Sequence, residues 1–220
     1  MADILSVEER RLALDAIADE IKVCTLCPLH TSRTHAVPGA GRVDAEIMFI
    51  GEGPGYHEDQ QGLPFVGASG QYLNELLHMI GLKREDVFIT NVVKCRPPNN
   101  RDPLPNELDT CIPTYLQRQV EVIQPKLIAT LGRFSMALFF PGGRITKIHG
   151  QPRRGNGRIY YPLFHPAAVL RNPNLRPVME EDFRRMMALA QEVAAQQSAA
   201  QSSSDPDDEP PPTPRQLSLF

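Results

Sequence analysis

The chain has 220 residues, 41% of them apolar and 22% charged, with a formal net charge of −3 at pH 7 and no tryptophan. That length allows one domain with a full core, or at most two small ones, and no apolar stretch is long enough to span a bilayer. The segment from Ser198 onward carries the whole net charge and leaves a neutral body, which argues against broad, nonspecific coating of nucleic acid.

Residues 1–9 have neither a basic start nor an apolar core, so no secretory signal is read there. A cytoplasmic, nucleoid-associated protein with reduced cysteines is expected. Residues 8–23 read as a helix with apolar Leu12, Leu14, Ile17, Ala18 and Ile21. A strand at 45–50 runs into a long loop, 51–70, that opens a helix at 71–80. Next come a strand at 87–93, a helix at 107–123, a strand at 126–131 and a short helix at 133–140. A strand at 158–164 and a closing helix at 178–195 complete the body. Strands alternating with helices predict an α/β three-layer sandwich, with a central four-stranded parallel sheet flanked by helices. Three strand ends lead into unusual segments, at Gly51, Lys94 and His165, and one edge of such a sheet would bring them together.

The loop 51–70 is the richest of these. Gly51, Gly53, Gly55, Gly62, Gly67 and Gly70, with Pro54 and Pro64, shape a backbone that lets a ligand approach closely. It holds the carboxylates Glu52, Glu58 and Asp59 and one aromatic ring, Phe65. Acid groups beside a flat stacking surface suit a planar ring substrate. The loop has no Gly-Lys-Ser/Thr and no strict Gly-x-Gly-x-x-Gly spacing, so it is unlike a nucleotide cradle. Plainer readings place Phe65 in the core and Glu58-Asp59 on a solvated turn. Arg153, Arg154, Arg158, Arg171 and Arg176 are candidates for a local basic strip or for an ordinary solvated face.

Four cysteines, a Cys24-x-x-Cys27 pair with Cys95 and Cys111, read as a metal site rather than as disulfides in a reducing compartment. Two close knuckles would favour zinc, and only one is present. Thiolate ligation equally suits an iron-sulfur cluster, and the spacing alone leaves the two level. His30, His35, His57, His78 and His149 show no ligand spacing.

Gly-Glu-Gly-Pro-Gly at 51–55, Pro-Phe-Val-Gly at 64–67, Thr-Asn-Val-Val-Lys-Cys-Arg-Pro-Pro at 90–98 and His165-Pro166 together resemble the family-four uracil-DNA glycosylases, the iron-sulfur branch of that superfamily. The resemblance spans residues 22 to about 193. It implies hydrolysis of the bond between uracil and deoxyribose in DNA, as in base excision repair, and a [4Fe-4S] cluster on Cys24, Cys27, Cys95 and Cys111. Carried over residue by residue, Phe65 is the ring on which an extruded uracil stacks, and Asn91 reads the Watson–Crick edge. His165 donates to the uracil O2, with Gly53 beside the base. Glu52 takes the position linked to the attacking water or the sugar cation, with Glu58 as second choice there. Glu58 also stands as the wall facing C5. Val169 and Leu170 are candidates for the wedge that fills the flipped-out gap, and Arg171 meets phosphate. A broader deaminated-base glycosylase and a noncatalytic iron-sulfur DNA-binding protein are the alternatives. An Asn91 that pairs with uracil leaves cytosine mismatched at both groups, which favours the first reading.

The domain is expected to fill residues 1–197, leaving 198–220 as a disordered, acidic, proline-rich tail. It ends in Gln216, Leu217, Ser218, Leu219 and Phe220, which resembles the peptide that docks bacterial repair proteins on the polymerase sliding clamp. Apolar anchors on such a strand suit a partner's groove. A monomer that meets uracil-containing DNA and the clamp is expected.

Overall fold

A computed structural model describes residues 5–202 of the chain. Ser6 opens the first helix, α1 (Val7–Val23), with a capping box: its side chain accepts from Glu9 N while Glu9 reaches back to the Ser6 amide. Leu14, Ile17 and Ile21 form its buried face, whereas Leu12 points outward. Such three- and four-residue spacing is what one helical stripe requires.

The sheet has six strands in the order β1-β3-β2-β4-β6-β5, where β1 is Ala40–Gly41, β2 Ile47–Gly51, β3 Phe88–Asn91, β4 Leu127–Leu131, β5 Arg153–Gly155 and β6 Arg158–Leu163. The four inner strands are mutually parallel, as predicted. Sequence reading missed the two edge strands, both antiparallel and only two and three residues long, too short to show alternation.

Every residue of β2, β3 and β4 is buried, the signature of a sheet covered on both faces. Phe49, Ile89, Ala129, Leu131 and Tyr161 face one core with α3 (Ala68–Met79) and the closing helix α9 (Arg176–Ser202), where Phe49 stacks on Phe183 at 5.8 Å. Met48, Ile50, Phe88 and Ile128 face the other core with α1 and α5 (Gln117–Ile123). The predicted helix at 107–123 is a continuous run from Pro105, in which α4 (Pro105–Cys111) joins α5 through a π-type turn at Ile112–Leu116. Pro113 lies in that turn and lacks the N–H that regular helix needs.

The closing helix runs to Ser202, past the predicted end at Ala195 and past the predicted division at 197/198. Residues 196–201 are glutamine and alanine with one serine, good helix formers that a composition-based reading took for tail. Residues 216–220, the expected clamp peptide, lie outside the described residues. Among the described residues no helix is long and apolar enough to cross a membrane.

Candidate functional site

All four parallel strands end at one edge of the sheet. Gly51 closes β2 opposite Asn91, the last residue of β3, in register. Gly132 follows β4 and donates to Leu163 O at the end of β6, and His165 lies two residues beyond. Glu52, Gly53, Phe65, Asn91, His165 and Arg171 all line one cleft of about 690 Å³ there. The sequence-predicted residues on three separate segments are thus brought together.

Glycine makes that convergence possible. A Cβ on Gly51 would overlap Asn91 Oδ1 and come within 2.6 Å of Phe65 Cζ. A Cβ on Gly70 would overlap the Phe65 carbonyl, so these two glycines let the loop close around its ring. Phe65 itself has φ of 51°, a left-handed backbone rarely adopted by a bulky residue. Arg84 holds it there, donating to the Phe65 carbonyl at 3.0 Å and to the Pro64 carbonyl. The Phe65 ring is buried and faces His165, ring centroids 5.7 Å apart.

Asn91 is 1% exposed, and its Oδ1 is buried without a hydrogen-bond partner. A buried amide oxygen left unpaired is costly, and an orphan at a cleft floor points to a ligand donor. His165 is the N-cap of α8 (Pro166–Arg171), and its Nδ1 accepts from Ala167 N at 3.1 Å. A ring nitrogen that accepts carries no proton, so Nε2 holds the N–H. Burial, helped by the Arg171 charge, pushes His165 down to about 4, so the ring is neutral at physiological pH.

The two candidate carboxylates differ sharply. Glu58 is buried, with Oε1 accepting from Val66 N and Gly67 N at 2.8 Å each and Oε2 accepting from Gly55 N at 3.1 Å. It lines the cleft as a wall, but its oxygens are spent on organising the loop. Asp59 is buried as well and accepts from Thr34 N, so the pair is not a solvated turn. Glu52 lines the same cleft, and its carboxylate, unlike its carbonyl, accepts no hydrogen bond from the described residues. Burial raises its pKa, with the Asp102 charge adding, while Arg133 and Arg171 draw it back.

Helical spacing separates the two wedge candidates. Val169 is 3% exposed and packs into the core with Phe164 and Met179, which removes it from the DNA-facing set. Leu170 is 49% exposed. Of the proposed arginine strip only Arg171 lines the cleft. Arg176 is held by Glu75 and Glu180, and Arg153 donates to Phe139 O. Arg101 and Arg133, which sequence reading passed over, line the cleft beside it. Arg133 is paired with Asp102, and Arg101 with the fully buried Glu107 at 2.7 Å.

On the other side of β3, Cys24, Cys27, Cys95 and Cys111 line a second, apolar recess with Ile21, Val93 and Tyr115. Arg33 Nη1 donates to Cys95 Sγ at 3.1 Å. Burial still raises Cys27 and Cys95 and pushes Cys111 up to about 11. Among the described residues no three His, Cys, Asp or Glu side chains converge as ligands of one metal ion.

A family model described as "Uracil DNA glycosylase superfamily" matches residues 38–188. The chain is similar to a type-4 uracil-DNA glycosylase of Saccharolobus solfataricus, 51% identical over 183 residues, covering 79% of this chain and 84% of the relative. A type-4 enzyme of Sulfurisphaera tokodaii is 48% identical over 188 residues, covering 81% and 85%. A type-4 enzyme of Thermotoga maritima is 45% identical over 181 residues, covering 80% and 94%.

Proposed function

The chain belongs to the uracil-DNA glycosylase superfamily, and from that premise we propose how its cleft frees uracil from DNA by hydrolysing the N-glycosidic bond. The carrying observation is the orphaned Oδ1 of Asn91 in the one cleft that Phe65 and His165 also line, with the His165 proton on Nε2. A base must leave the duplex to reach such a floor, at a cost of a few kcal/mol. Stacking on Phe65 returns about 1–3 kcal/mol. The Asn91 carbonyl accepts uracil N3–H and its amide donates to O4, a pattern that cytosine reverses.

As the C1′–N1 bond breaks, its electron pair moves onto the base and positive charge grows on the sugar. The Nε2–H of neutral His165 donates to the uracil O2, where an oriented donor of this kind is worth about 3–4 kcal/mol. Glu52, its carboxylate oxygens free and Arg133 and Arg171 drawing its raised pKa back, stabilises the sugar cation and orients the water that adds to C1′. Glu58 supports the loop and stands as the C5 wall. Gly53 lies beside the base on the cleft wall, where a Cβ would press on Val93 at 2.9 Å. Leu170 enters the gap left by the flipped nucleotide, and Arg171 meets phosphate.

Cys24, Cys27, Cys95 and Cys111 would hold a [4Fe-4S] cluster, a reading supported by their meeting in one apolar recess and by the Arg33 guanidinium that donates to Cys95. When bound, it would supply binding free energy that pins α1 and the segment after Asn91 together, and hydrolysis needs no electrons from it. The enzyme acts in the cytoplasm as a monomer, and Gln216, Leu217, Leu219 and Phe220 bring it to the sliding clamp. Deleting residues 216–220 should abolish clamp binding and leave oligonucleotide activity intact. Unchanged clamp affinity would end that part of the proposal.

Uracil release from a duplex by wild type, Asn91→Ala and His165→Ala tests the site. Each variant should lose about 10²–10³-fold in rate while keeping its fold. Wild-type rates in either would overturn the assignment.

A further inference from the structure

Lys94 lies between the two sites: it borders the cysteine recess but not the cleft, and its ammonium has no role in either so far. Its side chain is fully buried, and its Nζ donates to Thr90 Oγ1 at 2.6 Å, to Gln119 Oε1 at 2.7 Å and to the Asn91 carbonyl at 2.8 Å. An ammonium has three N–H groups, so the three acceptors use them all. Two of the acceptors are themselves anchored on one atom, because Thr90 Oγ1 and Gln119 Nε2 both donate to Pro38 O, at 3.0 and 2.8 Å. The end of β3, helix α5 and the segment leading into β1 therefore meet around a single nitrogen. The Lys94 carbonyl adds a further tie, accepting from Val37 N at 2.7 Å.

A buried charge is an expensive way to fill space, and apolar residues of similar volume often serve stability as well or better. Lys94 also lies outside the residues that line the cleft, so it does not touch a bound base. What its ammonium does touch is the main chain of the residue whose amide reads the base. We infer that Lys94 is a positioning residue for Asn91: it fixes the Asn91 main chain from behind, so that the amide stays unpaired and directed into the cleft. The inference rests on the function proposed above for Asn91. Without the ammonium, three buried acceptors lose their donor, and the end of β3 loses what holds its carbonyl in place.

The test is a double-mutant cycle on the full chain with Lys94→Met, a substitution of similar size, in wild-type and Asn91→Ala backgrounds. In the wild-type background kcat for uracil release should fall about 10²-fold, as for a reacting group displaced by about 1 Å, with KM for duplex changed less than about threefold. In the Asn91→Ala background the same substitution should be nearly silent, below about threefold. A residue needed only for stability would slow both backgrounds by the same factor, and that result, or an unaffected kcat, overturns the inference. If Lys94→Met does not fold, Gln119→Leu removes one of the acceptors that orient the ammonium, and the same cycle is read with the same criteria. A crystal structure of the variant gives a readout independent of activity: the Asn91 amide should be turned or spread over several rotamers. An unchanged amide also overturns the inference. A wild-type enzyme that frees no uracil would instead refute the functional reading, while the Asn91 conformation would still decide the role of Lys94.

Discussion

The cleft and the cysteine recess lie on either side of the end of β3, and burial does the same thing in both: it drives ionisable groups toward their neutral forms. It pushes His165 down to about 4 and Cys111 up to about 11. The consequences are opposite. A neutral imidazole with its proton on Nε2 is the form that donates to a developing oxyanion, so the cleft is finished as it stands. A neutral thiol is a poor metal ligand, and the proposed cluster would have to favour the thiolate form there. One site is preorganised by burial, whereas the other is held back by it until a partner arrives.

The largest effect that would sharpen this contrast belongs to the recess. Cys111→Ser should lower iron content and reduce the thermal midpoint by about 10 °C or more, because ligand binding there is folding free energy. An unchanged midpoint with full iron would break the comparison. Gly51→Ala comes next. Its methyl would strike Asn91 Oδ1 and the Phe65 ring, and uracil release should fall about 10²-fold or more while iron content stays at the wild-type level.

The pH dependence tests the neutral imidazole directly. A folded pKa below the unfolded value of about 6.5 means that the unfolded chain binds the extra proton between those limits. The stability that His165 contributes is therefore complete above about pH 6.5 and is lost as pH falls toward about 4. The rate of uracil release should show no inflection near pH 6.5, and an inflection there that disappears in His165→Ala would contradict the buried, neutral ring. The smallest effect is expected of Leu170→Ala, a loss of a few-fold on duplex substrate with little change on single strands, measured side by side. Equal losses on both would remove Leu170 from the gap-filling role.

Much of the site could be read from the chain because its chemistry is concentrated in short segments. Asn91 ends a strand, Phe65 and His165 lie in the segments that follow two others, and the parallel topology brings strand ends to one edge. The side chains that hold them were not legible. Arg84 reaches back nineteen residues to Phe65, and Gln119 on α5 meets Lys94, just past the end of β3, across twenty-five. Nothing local marks such contacts. Glu58 stood as second choice to Glu52 for the water or sugar cation because composition cannot tell a carboxylate facing substrate from one facing three backbone amides. Val169 and Leu170 looked interchangeable until a helix phase put one inside and the other out. The edge strands and the last turns of α9 were missed for a simpler reason, since two- or three-residue strands and an Ala/Gln run carry little periodic signal.

The left-handed backbone at Phe65 narrows what that position can ever become. An isoleucine or valine would lose the flat surface and, being branched at Cβ, would also crowd a conformation that already resists side chains. Tyrosine or tryptophan would face only the question of room. Natural or laboratory drift at this site is therefore channelled toward other aromatics, and the route to a new base runs through the walls of the cleft rather than its floor.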